Sequence, residues 1–139
     1  MTSFITQRVV CFSDCDPAGI VFFPQYLVML NDVVEEWFDR GLGIPYAGLI
    51  GARRVGLPTV RLEVDFTAVS RHGDALIWQL AVERLGRSSL TLAVQVRAPV
   101  NGGDELRLKA RQVLVCTSLL THRPQALPDD VRTALMQGA

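Results

Sequence analysis

Hydrophobic residues recur in the first third of the chain at the spacing of a helix that buries one face. The run begins at Pro24, whose fixed φ suits a first helical turn, and Gly41 and Gly43 stand where a C-terminal cap is expected. The apolar stripe comprises Tyr26, Leu27, Leu30, Val33, Val34, Trp37 and Phe38. The pattern predicts one helix of about four to five turns, with a stripe wide enough to lie against a sheet.

From Leu57 onward the hydrophobic period changes to two, which is typical of strands with one buried and one wetter face. One strand opens near Leu57, and the alternation is regular over two more segments, residues 76–83 and 90–97. Turn residues follow each segment, at 86–88 and at 101–104. These segments predict strands joined by hairpins.

Two further strands are predicted nearer the ends of the chain. Residues 4–12 are rich in β-branched and aromatic side chains, and residues 13–22 contain the Asp, Pro and Gly of a loop. Residues 106–118 are apolar on both faces towards their end, which suits a more central strand or one interrupted by a bulge. Pro128 marks the start of a short C-terminal helix.

The order of these elements is one strand, one long helix and then four strands. It predicts an α+β fold in which a five-stranded antiparallel sheet wraps around the central helix, as one domain over residues 1–139. We expect the far face of the sheet to carry Trp78 with further Leu and Val side chains, and the edge strands to be unprotected. Burial of both against a second copy predicts a homo-oligomer.

Composition excludes several classes of protein. The 139 residues are 49% hydrophobic and 20% charged, which excludes a disordered or fibrous chain. Fourteen basic residues balance fourteen acidic ones, which argues against a nucleic-acid partner. All the basic residues except Lys109 are Arg, so an anion site would consist of guanidinium groups. The absence of a bilayer-length apolar run and of a secretory signal, with three cysteines at no zinc or disulfide spacing, predicts a cytoplasmic protein without a membrane partner.

The loop before the long helix has the features of a reactive site. Pro17 forces Asp16 out of helical geometry and so fixes the direction of its carboxylate, while Gly19 permits a tight bend. If Pro24 is the first helical residue, Phe23 is the N-cap and offers no side-chain oxygen to the exposed amides. Free donors beside a fixed carboxylate would form an oxyanion site. The alternative is that Asp14 or Asp16 simply caps the helix.

The stretch Asp14-Cys15-Asp16-Pro17-Ala18-Gly19-Ile20-Val21, followed by Phe22-Phe23-Pro24-Gln25-Tyr26, closely resembles the 4-hydroxybenzoyl-CoA thioesterase family of hotdog-fold enzymes. The resemblance extends over roughly residues 4–118 and is sharp over 12–26. It implies a hotdog fold and hydrolysis of a small acyl-CoA, with an aromatic acyl group as one candidate, to the free acid and CoA. It implies no metal and no organic cofactor.

The resemblance also implies roles for individual residues. Asp16 matches the catalytic carboxylate, acting either as a nucleophile that forms a mixed anhydride or as a base that activates water. The backbone N–H of Phe23 matches the amide that polarises the thioester oxygen. Asp14 matches a structural residue, and Tyr26 matches the wall of the acyl pocket.

Further residues are expected to bind the substrate. Arg87 and Ser88 align with residues near the CoA phosphates, with Arg84 as the adjacent alternative, and guanidinium groups suit phosphate. Thr59, at the opening of the second strand, is a further candidate. The pair Arg53 and Arg54 could also meet a phosphate, with weaker support.

Asn31 departs from the family pattern. The matching helix position in the 4-hydroxybenzoyl branch carries an acidic residue that faces the aryl hydroxyl. Asn31 is neutral, and Asp32 lies one position, or about 100° of helix, away. An amide can still hydrogen-bond a hydroxyl, so the site would accept a hydroxybenzoyl, a plain benzoyl or another acyl group.

Three other interpretations compete with the thioesterase. Ser70, His72 and Asp74 crowd into one turn, where a solvated His is more plausible than a triad. A hotdog dehydratase would need a His-type base that the Asp16 loop does not have. A non-catalytic acyl-CoA or acyl-carrier-protein binding module on the same scaffold is the main rival to the thioesterase. For the enzyme we expect a dimer of dimers, whose sites combine the Asp16 loop of one chain with Arg87 of another.

Overall fold

The long central helix is the main feature of the structure, a computed structural model that describes residues 3–137. Helix α1 (Phe23–Glu36) continues through a π-helical segment, Trp37–Leu42, and ends at Gly43 with a φ of 70°. A left-handed residue at a helix end favours glycine. The predicted helix and its glycine end are confirmed, whereas the wider final turn was not predicted. The predicted domain over residues 1–139 includes four terminal residues outside the described range.

The remaining elements within residues 3–137 are β1 (Phe4–Val9), α2 (Tyr46–Ile50), β2 (Val55–Gly56), β3 (Thr59–Phe66), β4 (Ala75–Leu85), β5 (Ser89–Val100), β6 (Gly103–Val115), β7 (Thr117–Ser118) and α3 (Asp129–Met136). Five strands form one antiparallel sheet in the order β1-β4-β5-β6-β3. The predicted α+β architecture is therefore confirmed. Strands β2 and β7 form a separate two-stranded sheet that the sequence pattern did not indicate.

Two predicted strands end earlier than expected because their last residues form backbone hydrogen bonds outside the ladders of the five-stranded sheet. The first was predicted over 4–12 but stops at Val9, and the chain then enters a short 3₁₀ turn at Phe12–Asp14. The last was predicted over 106–118 but is divided at Cys116, whose N–H donates to the carbonyl of Ser88 at 2.7 Å. Between β5 and β6, Asn101 and Gly102 both have positive φ, the geometry of a tight hairpin turn.

The core lies between α1 and the inner face of the sheet. Buried side chains come from alternate positions of β4 and β5 and from the stripe of α1: Leu76, Trp78, Leu80, Val82, Leu90, Leu92, Val94, Val96, Met29, Leu30, Val33 and Val34. Trp78 was expected on the far face of the sheet, but its side chain is 0% exposed inside this core. Alternation of apolar and polar residues distinguishes the two faces of a strand but does not show which face packs against the helix. The prediction that Trp78 lies on the far face was therefore wrong.

The edge strand β3 and the length of β4 together determine where sites can form. β3 pairs only with β6 among the described residues, and Val60 and Phe66 are 60% and 48% exposed along it. The 11 residues of β4 separate the two ends of the sheet by roughly 33 Å, at about 3.3 Å per residue. We term these the helix-start end, near Ala75, and the hairpin end, near Leu85.

Within residues 3–137, no helix is long and apolar enough to cross a bilayer.

Candidate active site

The loop before α1 folds back on itself as a short antiparallel pair. The N–H of Asp16 donates to the carbonyl of Ile20 and the N–H of Phe22 donates to that of Asp14, both at 2.9 Å. Gly19, at the bend, has a φ of 81°, a conformation that L side chains rarely adopt. The pairing holds Asp16 at a defined place close to the start of the helix.

The two loop carboxylates differ in their contacts. Oδ1 of Asp16 accepts the N–H of Ala18 at 2.9 Å, while no group among residues 3–137 donates to its Oδ2. Asp14 accepts the N–H of Cys11 through Oδ2 at 2.8 Å and faces the side-chain amide of Gln25 at 3.4 Å. Asp14 therefore braces the loop, whereas half-buried Asp16 keeps one oxygen available.

The helix begins one residue earlier than predicted. Phe22 is the N-cap, Phe23 is the first helical residue and Pro24 is the second, and no side chain caps the turn. Neither Asp14 nor Asp16 is the cap, so that alternative is wrong. Pro24 has no N–H and the N–H of Gln25 donates to the carbonyl of Phe22 at 2.8 Å. Within residues 3–137 the N–H of Phe23 has no acceptor, and it carries the partial positive charge of the helix start.

An aromatic cleft opens beside this amide, and we term it the helix-start cleft. Its volume is about 330 Å³, and it is lined by Ile20, Val21, Phe23, Tyr26, Phe66, Thr67, Ala68, Val69 and Ser70. The ring of Phe66 lies 6.1 Å from that of Phe23 and 5.7 Å from that of Tyr26. Asp16 is not among the lining residues. The cleft suits a flat apolar group, and a single chain does not enclose it together with the carboxylate.

A buried polar network that the sequence did not reveal supports the cleft. The hydroxyl of Tyr26 donates to Oγ of Ser70 at 2.8 Å, and Nη1 of Arg107 donates to the same oxygen at 3.1 Å and to Asp74 at 2.8 Å. Arg107 is only 5% exposed, and its Nε lies 2.7 Å from Glu105. Ser70 and Asp74 thus pair with Arg107, and exposed His72 packs against Phe12 instead, so these residues form no triad.

Burial and charge shift three pKa values in this network. Burial raises the pKa of Tyr26, so its hydroxyl remains a donor. Burial alone would also raise the pKa of Asp74, but hydrogen bonds from Arg107 and from the N–H of Arg71 outweigh it and lower that pKa. Burial opposes the charge of Arg107, yet Asp74 and Glu105 raise the pKa of the guanidinium. The ion pair is therefore charged across the neutral range.

Asn31 lies two turns beyond Phe23 on the exposed side of α1. Phe23, Leu27 and Asn31 follow one another at intervals of four residues, and Phe23 and Leu27 are 58% and 36% exposed. Side chains at this spacing share one helix face. Asp32 is also exposed but borders a separate, acidic hollow with Glu35 and Glu36. Of these two residues, only Asn31 therefore lies on the helix face that begins at the helix-start cleft with Phe23.

The remaining predicted substrate-binding residues lie at the hairpin end. Thr59 is opposite Leu114 on β6, and its Oγ1 accepts the amide of Gln112 at 2.9 Å. Arg87 and Ser88 form the turn between β4 and β5. One chain thus does not bring these three together with Asp16 and Phe23.

The alternative phosphate ligands differ in their availability. Arg53 forms a two-pronged ion pair with Asp130 at 2.7 Å, so its guanidinium is already engaged. Arg84 lines a groove of about 440 Å³ with Arg61 and Arg111. In the part of the chain from 3 to 137, no three His, Cys, Asp or Glu side chains group as metal ligands would.

Comparison with known proteins identifies the family of the chain. Residues 10–135 match the model of the thioesterase-like superfamily. The chain is 30% identical to a 4-hydroxybenzoyl-CoA thioesterase from Pseudomonas sp. strain CBS-3, covering 81% of this chain and 82% of that protein. It is 26% identical to a 1,4-dihydroxy-2-naphthoyl-CoA hydrolase from Synechocystis, covering 97% and 96% respectively.

Solved structures show the same fold. A 1,4-dihydroxy-2-naphthoyl-CoA thioesterase from Synechocystis superposes with a TM-score of 0.86 at 25% identity over 96% of each chain. The Dynemicin thioesterase, described with a bound polyene, superposes with a TM-score of 0.85 at 26% identity over 99% of this chain and 97% of that one. With its five-stranded sheet around one helix, the chain is a hotdog-fold thioester hydrolase and belongs to the thioesterase-like superfamily.

Proposed function

We propose that the protein hydrolyses an aromatic acyl-CoA to the free acid and CoA, in one domain that operates as an oligomer. The observation that carries the proposal is the unpaired N–H of Phe23 at an uncapped helix start, beside an aromatic cleft. The relatives support the substrate class, because those named above act on 4-hydroxybenzoyl-CoA and 1,4-dihydroxy-2-naphthoyl-CoA. A cleft bordered by three aromatic rings suits such acyl groups.

In the proposed reaction the N–H of Phe23 donates to the thioester oxygen as negative charge develops on it. One donor of this kind contributes on the order of 10²–10³ in kcat. The carboxylate of Asp16 either attacks the carbonyl carbon, giving a mixed anhydride that water then hydrolyses, or removes a proton from the attacking water. In both routes the C–S bond breaks, CoA leaves as the thiol, and the acyl group leaves as the carboxylic acid.

The complete site requires a second copy of the chain. β3 is an exposed edge of the sheet. Antiparallel pairing of β3 with itself about a two-fold axis would place Thr59 of one copy beside Phe66 of the other. This pairing would bring the hairpin end of one chain, with Arg87 and Ser88, to the helix-start cleft of its neighbour. We propose that Arg87 pairs with a CoA phosphate there and that Asn31 faces the acyl group.

Two such dimers are proposed to join through the outer faces of their sheets. A hollow of about 430 Å³ lies on this face, lined by Gln7, Ala75, Ile77, Gln79, Gln95, Arg97, Ala98, Pro99 and Asp104. The side chains of β4 that point outward, such as Ile77 and Ala81, include apolar groups that are only half-buried in one chain. Back-to-back packing would give the expected tetramer, which we propose acts in the cytoplasm.

The test of the proposed function compares two Asn substitutions in the same loop. Asp16→Asn removes the charge but keeps an oxygen for the N–H of Ala18, so the loop should fold normally. We expect kcat for thiol release from acyl-CoA to fall at least about a hundredfold. Asp14→Asn is the matched control and should keep kcat within about threefold, since its carboxylate only accepts local hydrogen bonds. Near-normal turnover by Asp16→Asn would refute the assignment.

The same assay separates the enzyme from a non-catalytic binding module. A panel of benzoyl-, 4-hydroxybenzoyl-, 1,4-dihydroxy-2-naphthoyl-, polyenoyl- and saturated acyl-CoA is monitored with a thiol reagent. The proposal requires the highest kcat/KM from an aromatic member. Saturable binding of every member without thiol release would favour the module, and preference for the polyenoyl thioester would move the substrate towards that of the Dynemicin thioesterase.

A further inference from the structure

One residue outside the loop and outside the helix holds the chain on both sides of Phe23. The carbonyl of Ser70 accepts the N–H of Val21 at 2.9 Å, and the hydroxyl of Ser70 accepts the hydroxyl of Tyr26 at 2.8 Å. Val21 lies two residues before Phe23 and Tyr26 three residues after it. The residues on both sides of the Phe23 amide are thus hydrogen-bonded to the same residue, Ser70.

Ser70 is itself fixed from β6. Nη1 of Arg107 donates to Oγ of Ser70 at 3.1 Å and to Oδ2 of Asp74 at 2.8 Å. A buried guanidinium must keep its partners, because an unpaired charge in the interior is strongly unfavourable. Arg107 and Ser70 are 5% and 1% exposed, so neither can turn towards water to find a substitute. The contacts run without interruption from the sheet through Arg107 and Ser70 to the residues that flank Phe23.

We propose that Ser70, held by Arg107, is a positioning residue for the amide of Phe23. The proposal rests on the proposed function, in which that amide donates to the thioester oxygen. Oxyanion donors act over a narrow range of about 2.7–3.1 Å, and a displacement of about 1 Å can lower the rate about a hundredfold. The first turn of α1 has no side-chain cap, so the bond from Tyr26 to Ser70 anchors this turn from outside the helix.

The test removes each end of the bond between the helix and Ser70. Ser70→Ala and Tyr26→Phe both delete it and leave the backbone bond between Ser70 and Val21 in place. We expect each variant to lower kcat between about ten- and a hundredfold, with KM for the acyl-CoA changed less than about twofold. Because both variants lose the same bond, the double variant should be no slower than the slower single one. Ser70→Thr, which retains the hydroxyl, should recover most of kcat.

A matched control removes a similar bond at the other end of the same helix. Oγ1 of Thr6 donates to Glu36 at 2.7 Å, at the end of α1 remote from Phe23. Thr6→Val should lower stability without lowering kcat. A merely structural role for Ser70 predicts that Ser70→Ala and Thr6→Val behave alike, with kcat of both within about twofold of the wild type, and that result overturns the proposal.

Amide hydrogen exchange gives a readout that does not depend on turnover. Ser70→Ala should speed exchange in peptides that cover residues 20–26, while Thr6→Val should leave those peptides protected as in the wild type. Unchanged protection of these residues in Ser70→Ala would overturn the positioning role. A wild-type protein that releases no thiol from any acyl-CoA would instead refute the proposed function, and the exchange result would still decide whether Ser70 holds this turn.

Discussion

Nη2 of Arg132 lies 2.7 Å from the carbonyl oxygen of Arg87 and 2.8 Å from that of Gly86. One guanidinium of the C-terminal helix α3 thereby holds the turn between β4 and β5. The carbonyl of Arg87 also accepts the N–H of Leu127 at 3.0 Å. The backbone of the proposed phosphate-binding turn is therefore fixed, whereas the side chain of Arg87 remains exposed.

Replacement of Arg132 should weaken binding of CoA rather than the chemical step. Arg132→Met removes both hydrogen bonds to the turn, and we expect KM for the acyl-CoA to rise about three- to tenfold at unchanged kcat. KM for the corresponding acyl-pantetheine, which lacks the nucleotide phosphates, should not change. Arg40→Gln, which removes an exposed ion pair with Glu36, is the control. An equal rise in KM for both substrates would contradict the role of the turn.

Replacement of Asp74 should change how stability depends on pH. Its pKa is lowered below the ordinary 3.8, so its contribution is complete above that value and is lost as the pH falls through the lower folded pKa. Asp74→Asn should therefore reduce the free energy of unfolding at pH 7 and flatten its decline between about pH 5 and 2. Urea unfolding at each pH measures both effects, with exposed Asp32→Asn as the control. An unchanged acid slope would show that the Arg107 pair does not supply this stability.

A positive charge on the edge of β3 should disrupt the pairing of β3 between two chains, and the same change should inactivate the enzyme. Val60 is 60% exposed on this strand, and Lys on an edge strand opposes strand pairing. Val60→Lys should sediment as an assembly no larger than the dimer formed through the outer sheet faces, and it should lose nearly all thiol release. Val100→Lys, at the tip of the hairpin between β5 and β6, should change neither. Full activity in this smaller assembly would contradict the shared site, and an active tetramer would contradict pairing through β3.

An acidic residue at position 31 should increase selectivity for hydroxylated acyl groups. A hydrogen bond from an aryl hydroxyl to a carboxylate is stronger than one to an amide by roughly 1 kcal/mol, or about fivefold in kcat/KM. Asn31→Asp should therefore raise the ratio of kcat/KM for 4-hydroxybenzoyl-CoA over benzoyl-CoA by about this factor. Asp32→Asn, on the neighbouring face, should leave the ratio unchanged. An unchanged ratio in Asn31→Asp would remove this residue from the acyl site.

The parts of the fold that the sequence predicted are those set by local patterns. The stripe of α1 and the alternation of β4 and β5 follow directly from side-chain periodicity, and Gly43 marks its own turn. The face on which Trp78 lies depends instead on where the helix packs. The start of α1 at Phe23 rather than Pro24 depends on the pairing of Phe22 with Asp14.

The candidate site was predictable only where it is contiguous in sequence. Asp16 and Phe23 stand in one motif, but the support from Ser70 and Arg107 joins residues 37 positions apart. No spacing rule reports such a contact. The only sequence feature that pointed to this contact was Arg107, which lies beside Leu108 in β6, because a charged side chain on an apolar strand requires partners.

If each site is shared between two chains as proposed, the length of β4 implies that two differently impaired proteins can complement each other. Asp16 and Arg87 lie at opposite ends of this strand, so each catalytic unit would draw them from different polypeptides. Co-assembly of Asp16→Asn chains with Arg87→Met chains would yield hybrids in which one unit carries both lesions and the other carries neither. At acyl-CoA concentrations far below the raised KM of the Arg87→Met chains, such hybrids would regain about half of the wild-type rate per pair, a complementation that a self-contained subunit could not display.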